Sequence, residues 1–170
     1  MPQSKPETDR HHDRSMDEQW MQQALQLARK ALDQNEVPVG AVVIKDGQVI
    51  GSGWNHPITS NDPTAHAEII ALREAALSQK NYRLPGTTLY VTLEPCPMCA
   101  MAIVHARVDR VVFATDDPRT GAAGSVFDLL KSPSLNHRCV VSAGILKQQC
   151  ADLLVGFFKS RRMAVNISSS

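Results

Sequence analysis

The chain has 170 residues, 43% of them hydrophobic and 21% charged, with a formal net charge of +1. That composition fits one globular domain with a core of its own and excludes a membrane span, because no apolar run approaches the roughly 20 residues one needs. The charge balance also excludes a bulk polyanion binder: residues 1–18 carry −2 and the remainder +3, so any nucleic-acid contact must rest on a local patch and on shape.

Residues 1–15 are rich in Pro, Asp, Arg and His without periodicity, and read as a disordered tail. They contain no apolar segment of the kind that directs secretion, so a reducing, cytoplasmic setting is expected. The folded domain is expected over 16–170. From Asp17 to about Gln34, Trp20, Met21, Ala24, Leu25, Ala28 and Leu32 recur at helical spacing. Val37 to Ile44 is a strand-like apolar run, Asp46-Gly47 a hairpin turn, and Gln48 to Gly53 the returning strand. Trp54 to Pro63 reads as a loop. A helix is expected from about Ala65 to Ser78 and a buried strand from Thr87 to Leu93. Pro97 then opens a further helix that runs toward Arg107. Arg110 to Ala114 reads as a strand, Asp116 to Ser125 as a loop, and Val126 to Leu130 as a short helical turn. Val140 to Ser142 reads as a last strand and Leu146 to Arg162 as a last helix. Such alternation implies one mixed sheet with helices on both faces, an α/β fold.

The chemistry-bearing residues are His66-Ala67-Glu68 and Pro95-Cys96-Pro97-Met98-Cys99. One His and two Cys can hold Zn²⁺ and leave a fourth position open for water. Cys96 and Cys99, spaced i, i+3 at a helix start, share a face where the helix N-terminus favours thiolates. Glu68 lies two residues after His66, roughly 200° around an ideal helix. Both can face one ion only if His66 sits in a non-helical opening turn, as Pro63-Thr64 before it suggest. A carboxylate that is not a ligand can then move protons for an acidified water. The pattern His-x-Glu…Pro-Cys-x-x-Cys is the known signature of zinc nucleobase deaminases; the reaction class is taken from that match and not from the spacing. The Cys-x-x-Cys also reads as a redox pair, or as half of a closed structural zinc site completed by His105, His137 or Cys139. Cys139 and Cys150, isolated among apolar residues, read as buried thiols.

Further segments carry a more specific resemblance: Glu36 to Ala41, Trp54-Asn55, Asp62 to Glu68, Thr88 to Cys96, Thr120 to Ser125, Asn136-His137 and Phe157-Phe158. Together they span residues 17 to 163, and they resemble the bacterial tRNA-specific adenosine deaminases of the cytidine deaminase-like superfamily. The zinc pattern is common to that superfamily, and Asp62 to Glu68 also resembles guanine deaminases. The stretch from Asp117 to Ser125 and the C-terminal Phe-Phe-x-x-Arg are closer to the tRNA enzymes.

The resemblance implies a three-layer α/β/α fold around a five-stranded sheet, a homodimer, and one zinc ion per subunit held by His66, Cys96 and Cys99. It implies conversion of adenosine to inosine at the wobble position of a tRNA anticodon stem-loop, with Glu68 catalytic. Asn55 and the backbone of Ala67 would read the flipped base; Asp117, Phe158 and Arg162 would hold the anticodon loop. Each of these residues also has a plainer reading: Asn55 and Asp117 as turn residues, Phe157 and Phe158 as core, Lys159 to Arg162 as a solvated helix end, His137 as a satisfied structural histidine. Other functions of the same fold are a small-molecule deaminase for guanine, cytosine or a nucleoside, and a zinc-stabilised RNA-binding subunit without catalysis. Asp116 beside Asp117, and His56 after Asn55, depart from the family pattern.

Overall fold

A computed structural model describes residues 7–169, with side chains from Arg14 onward. The elements in chain order are α1 (Glu7–Asp33), β1 (Gly40–Lys45), β2 (Gln48–Trp54), α2 (Pro57–Ser60), α3 (Ala67–Gln79), β3 (Thr87–Leu93), α4 (Pro97–Ala106), β4 (Arg110–Thr115), β5 (Val140–Ala143) and α5 (Lys147–Ser168). The sheet has five strands in the order β2-β1-β3-β4-β5. β1 runs antiparallel to both β2 and β3, whereas β3, β4 and β5 are mutually parallel.

The continuous apolar run of β1 follows from burial on both faces. Ala41 and Val43 point into a core shared with Ala67, Ala71 and Ala75 of α3 and Ala100 and Ile103 of α4. Val42 and Ile44 point the other way, against Met21, Ala24 and Leu25 of α1 and Cys150 of α5. Two helical layers thus enclose the sheet, giving the expected α/β/α arrangement. Asp46 and Gly47, both at positive φ (49° and 71°), make the tight turn between β1 and β2.

Two glycines of β2 set how closely α3 approaches. A Cβ on Gly51 would collide with the Ala71 carbonyl oxygen and lie 2.7 Å from Ala75 N; one on Gly53 would lie 2.6 Å from the Ala67 carbonyl oxygen. Gly51→Ala must push away the helix that carries Glu68. We expect a loss of about 2–3 kcal/mol, the upper part of the range for overpacking, read as a lower urea midpoint at unchanged slope.

On the opposite face, Asp17 pins α1 to the sheet. Its carboxylate accepts two hydrogen bonds from Arg110, at 2.9 and 2.7 Å, and one from the Tyr90 hydroxyl at 2.7 Å. Asp17→Ala removes the carboxylate from this network, in which Arg110 also donates to the Ser142 hydroxyl at 3.1 Å. The expected cost is about 3 kcal/mol, the low end for breaking a buried pair, because the Arg110 side chain keeps 29% of its exposure; denaturant unfolding measures it.

Several expectations change. Helix α1 begins at Glu7, ten residues before the helix start expected at Asp17; residues 1–6 lie outside the described residues. Between Glu7 and Asp17 there is no Gly or Pro, and a helix already nucleated on the sheet extends through such a stretch at little cost. Residues 126–130 form no helical turn. Val126 and Phe127 instead donate their N–H groups to the Gly121 carbonyl, both at 3.0 Å, and Leu129 donates to the Ala122 carbonyl at 2.9 Å. Gly124 at φ 126° bends the chain back, so loop hydrogen bonds override local helix preference. The loop at 54–63 contains the short α2, capped by Glu36, which accepts from Ile58 N–H at 3.2 Å and from Thr59 N–H and hydroxyl at 2.8 Å each. Burial opposes charge on Glu36, but these donors and nearby His56 outweigh it and hold the carboxyl below its usual range. Helix α5 continues to Ser168. No helix among the described residues is long and apolar enough to cross a membrane.

Candidate active site

The carboxyl ends of β3 and β4 and the N-termini of α3 and α4 meet at one edge of the sheet, where open α/β sheets bind ligands. His66 caps α3 with extended backbone (φ −77°, ψ 153°). It therefore stands outside the helix, and the two-residue offset to Glu68 no longer separates the pair. The approach to His66 is held by Asp62, whose Oδ1 accepts from the Thr64 N–H at 2.8 Å and hydroxyl at 2.7 Å. Those bonds keep the Asp62 carboxyl below its usual range. Cys96 caps α4 in the same manner (φ −73°, ψ 170°), Pro97 opens the helix, and Cys99 lies in its first turn.

His66 Nδ1 is 3.6 Å from Cys96 Sγ and 3.5 Å from Cys99 Sγ. Tetrahedral zinc, with Zn–S of about 2.3 Å and Zn–N of about 2.0–2.1 Å, sets nitrogen and sulfur roughly 3.5–3.6 Å apart. The donor set and its spacing therefore fit the ion, with Nδ1 as the imidazole ligand. Cys96 is held as a thiolate, its pKa brought down to about 4 by the Cys99 thiol that hydrogen-bonds to it and, against the opposing effect of burial, by His66. Cys99 keeps the shared proton and is pushed up, first by that bond and then by burial. The hydrogen bond to Cys96 likewise raises the His66 pKa, against the opposing effect of burial. Metal binding displaces such protons.

Among the described residues the cluster contains only His66, Cys96 and Cys99. The other candidates for a closed site are elsewhere: His137 Nε2 lies 2.7 Å from the Val108 carbonyl oxygen, and the Cys139 thiol donates to the same oxygen at 3.2 Å. His137 is thus a satisfied structural histidine. Cys139 and Cys150 are buried, and burial pushes them up to about 11 and about 12, keeping them as inert thiols.

Glu68 is 4% exposed, and burial pushes its carboxyl up to about 6. It lines a cleft of about 230 Å³ together with His66 and Cys96. That is below the about 300 Å³ where drug-sized sites begin, and suits one base. Val37, Val39 and Leu93 give the cleft apolar walls; Asn55, Glu94, Asp117, Thr120 and Phe158 complete it. Asn55 Oδ1 accepts the Ala67 N–H at 2.7 Å, so that N–H is engaged by Asn55, which itself lines the cleft. Asp117 starts a turn, accepting from Arg119 N–H at 3.0 Å and from Thr120 N–H and hydroxyl at 3.3 and 3.0 Å. It keeps its place in the cleft wall. Phe157 is core, 8% exposed, whereas Phe158 is 45% exposed at the cleft mouth. Arg162 is exposed one turn further along α5 and does not line the cleft. Asp116 forms an ion pair with Lys147 at 3.2 Å, tying the loop to α5.

Sequence reasoning passed over Glu94 and Thr120. Glu94 is 2% exposed, and the available signal was an acid placed between the apolar β3 and the ligand segment Pro95-Cys96.

Known proteins share this construction. The zinc-binding region of cytidine and deoxycytidylate deaminases matches residues 14–115. The chain is 52% identical to a tRNA-specific adenosine deaminase of Haemophilus influenzae, over 86% of this chain and 85% of that one. It is 42% identical to a tRNA-specific adenosine deaminase of Bacillus subtilis, over 87% of this chain and 92% of that one. A solved structure from studies of A-to-I editing by tRNA:A34 deaminases at the wobble position of transfer RNA superposes with a TM-score of 0.78 at 43% identity, covering 80% of this chain and 99% of that one. The chain belongs to the family of tRNA-specific adenosine deaminases, built on the zinc-binding region of the cytidine and deoxycytidylate deaminases.

Proposed function

We propose that this protein converts adenosine to inosine at the wobble position of a tRNA anticodon, releasing ammonia. The observation that carries the reading is Glu68, buried beside a His66, Cys96, Cys99 cluster at the floor of a base-sized cleft; the relatives favour an RNA substrate over a free base or nucleoside. His66, Cys96 and Cys99 would hold one zinc ion, which when bound acts as a Lewis acid and lowers the pKa of water. Glu68 takes a proton from the attacking water as it adds to C6 of the purine. It passes that proton to N1 and then carries the proton of the new C6 hydroxyl to the amine; the C6–N bond breaks as the C6 carbonyl forms and ammonia leaves, so adenosine and water give inosine and ammonia. The apolar walls exclude bulk water and give Glu68 the burial that keeps its proton affinity high.

The Asn55 NH₂ donates to an acceptor on the flipped base, and Phe158 at the mouth stacks on a neighbouring one. Asp117 meets the ribose or backbone of the anticodon loop, and Arg162 meets a phosphate. A base must leave its stack to enter such a cleft, and an anticodon loop presents it unpaired. We also assign a homodimer and a cytoplasmic setting. Met98 and Met101, half-exposed on α4, supply an apolar strip suited to a second copy, and the free cysteines suit a reducing compartment. Sedimentation of the zinc-loaded chain tests the dimer.

The direct test incubates zinc-loaded protein with an adenosine-bearing anticodon stem-loop and, separately, with free adenosine, cytidine and guanine. Inosine from the stem-loop alone is expected. Ammonia from a free base with the stem-loop untouched would overturn the substrate assignment and keep the zinc chemistry.

A further inference from the structure

We infer that Glu94 is a positioning residue for the substrate loop, and that it acts on the reaction through Asp117. The inference rests on the RNA-deaminase reading of the same cleft. Glu94 follows β3 directly and lies two residues before the ligand Cys96. Its carboxylate reaches into the loop 117–125.

Four donors from that loop converge on it. Oε1 accepts from the Asp117 N–H at 3.2 Å and from the Ser125 hydroxyl; Oε2 accepts from the Ala123 N–H at 3.0 Å and the Ser125 N–H at 3.2 Å. An ionised carboxylate offers about four acceptor sites and no donor, so the match is complete and charge-assisted. The loop closes over it: a Cβ on Gly121 would collide with the Glu94 carboxylate. Ala122 N–H meanwhile donates to the Pro95 carbonyl at 2.8 Å, adding a backbone tie between loop and ligand segment. Glu94 therefore sets the position of Asp117 relative to the metal ligands, since one short segment, Glu94 to Cys96, carries both.

The two oxygens are not equivalent on conversion to an amide. With the amide nitrogen in the Oε2 place, two backbone N–H groups face a donor. With the nitrogen in the Oε1 place, the Ser125 hydroxyl can turn and accept, and only the Asp117 N–H loses its acceptor. The second arrangement costs less, so Glu94→Gln should release Asp117 and leave the rest of the loop in place.

The experiment uses full-length, zinc-loaded protein and the adenosine-bearing anticodon stem-loop. Glu94→Gln should keep one zinc per chain, keep kcat within about threefold, and raise KM about tenfold, the effect of one lost hydrogen bond. Combined with Asp117→Ala, it should add less than about twofold to the loss from Asp117→Ala alone. Amide exchange without substrate should show Asp117 exposed and Ala123 and Ser125 still protected. Loss of zinc, a fall in kcat at unchanged KM, multiplying losses in the double variant, or equal deprotection of all three amides would each overturn the assignment. If Glu94→Gln does not fold, Gly121→Ala disturbs the same carboxylate from the loop side and must raise KM likewise; an unchanged KM overturns it. A wild-type chain inactive on the stem-loop would remove the RNA reading, while the exchange pattern would still decide whether Glu94 holds Asp117.

Discussion

Glu68→Ala should retain one zinc ion per chain and lose turnover. The side chain is not among the clustered ligand atoms, so metal analysis should match the parent protein. Removing the proton carrier should cost about 10²–10⁴ in kcat, the range for general acid–base groups. The other carboxylates of the cleft, Glu94 and Asp117, are engaged by donors of the loop 117–125. KM for the stem-loop should change little, because Asn55, Asp117 and Phe158 are untouched. Loss of zinc from Glu68→Ala would contradict its role as a group that is not a ligand. Inosine formation at the parent rate would remove Glu68 from the mechanism.

Cys96→Ala should lose zinc, activity and stability together. Cys96 is the ligand held as thiolate, brought down to about 4 by its Cys99 and His66 partners, and alanine supplies no donor. Ligand binding stabilises the folded state by about 4.1 kcal/mol at a free concentration 1,000-fold above Kd. For a chain of this size that corresponds to about 8–16 °C in Tm, taking about 2–4 °C per kcal/mol. Calorimetry of Cys96→Ala, and of the parent protein after chelation, should show similar losses. The chain keeps its two hydrophobic clusters, so a cooperative transition should persist, unlike a zinc finger that unfolds without metal. Stoichiometric zinc in Cys96→Ala would take Cys96 out of the site.

The core was legible because its signals are local. The helix periodicity of Met21, Ala24, Leu25 and Ala28, the Asp46-Gly47 turn and the doubly buried run of β1 each follow from spacing along the chain. The N-terminal boundary of α1 and the 126–130 segment were not. The first depends on helix propagation from a docked face, and the second on loop hydrogen bonds to Gly121 and Ala122.

Much the same division runs through the site. The placement of His66, Cys96, Cys99 and Glu68 at two helix N-termini was readable from the sequence alone, because the Pro97 helix start and the short offsets confine them there. The sequence also determined the fold class, since strand and helix periods are set by neighbours a few residues apart. Only the tertiary structure decided what the polar residues around that centre do. Asn55 takes the Ala67 N–H, Asp117 closes a turn while lining the cleft, His137 holds the Val108 carbonyl ahead of β4, and Glu94 gathers the loop. A polar side chain acts through whichever donors and acceptors the fold brings within about 3 Å of it, and those partners lie up to 31 residues away in the chain.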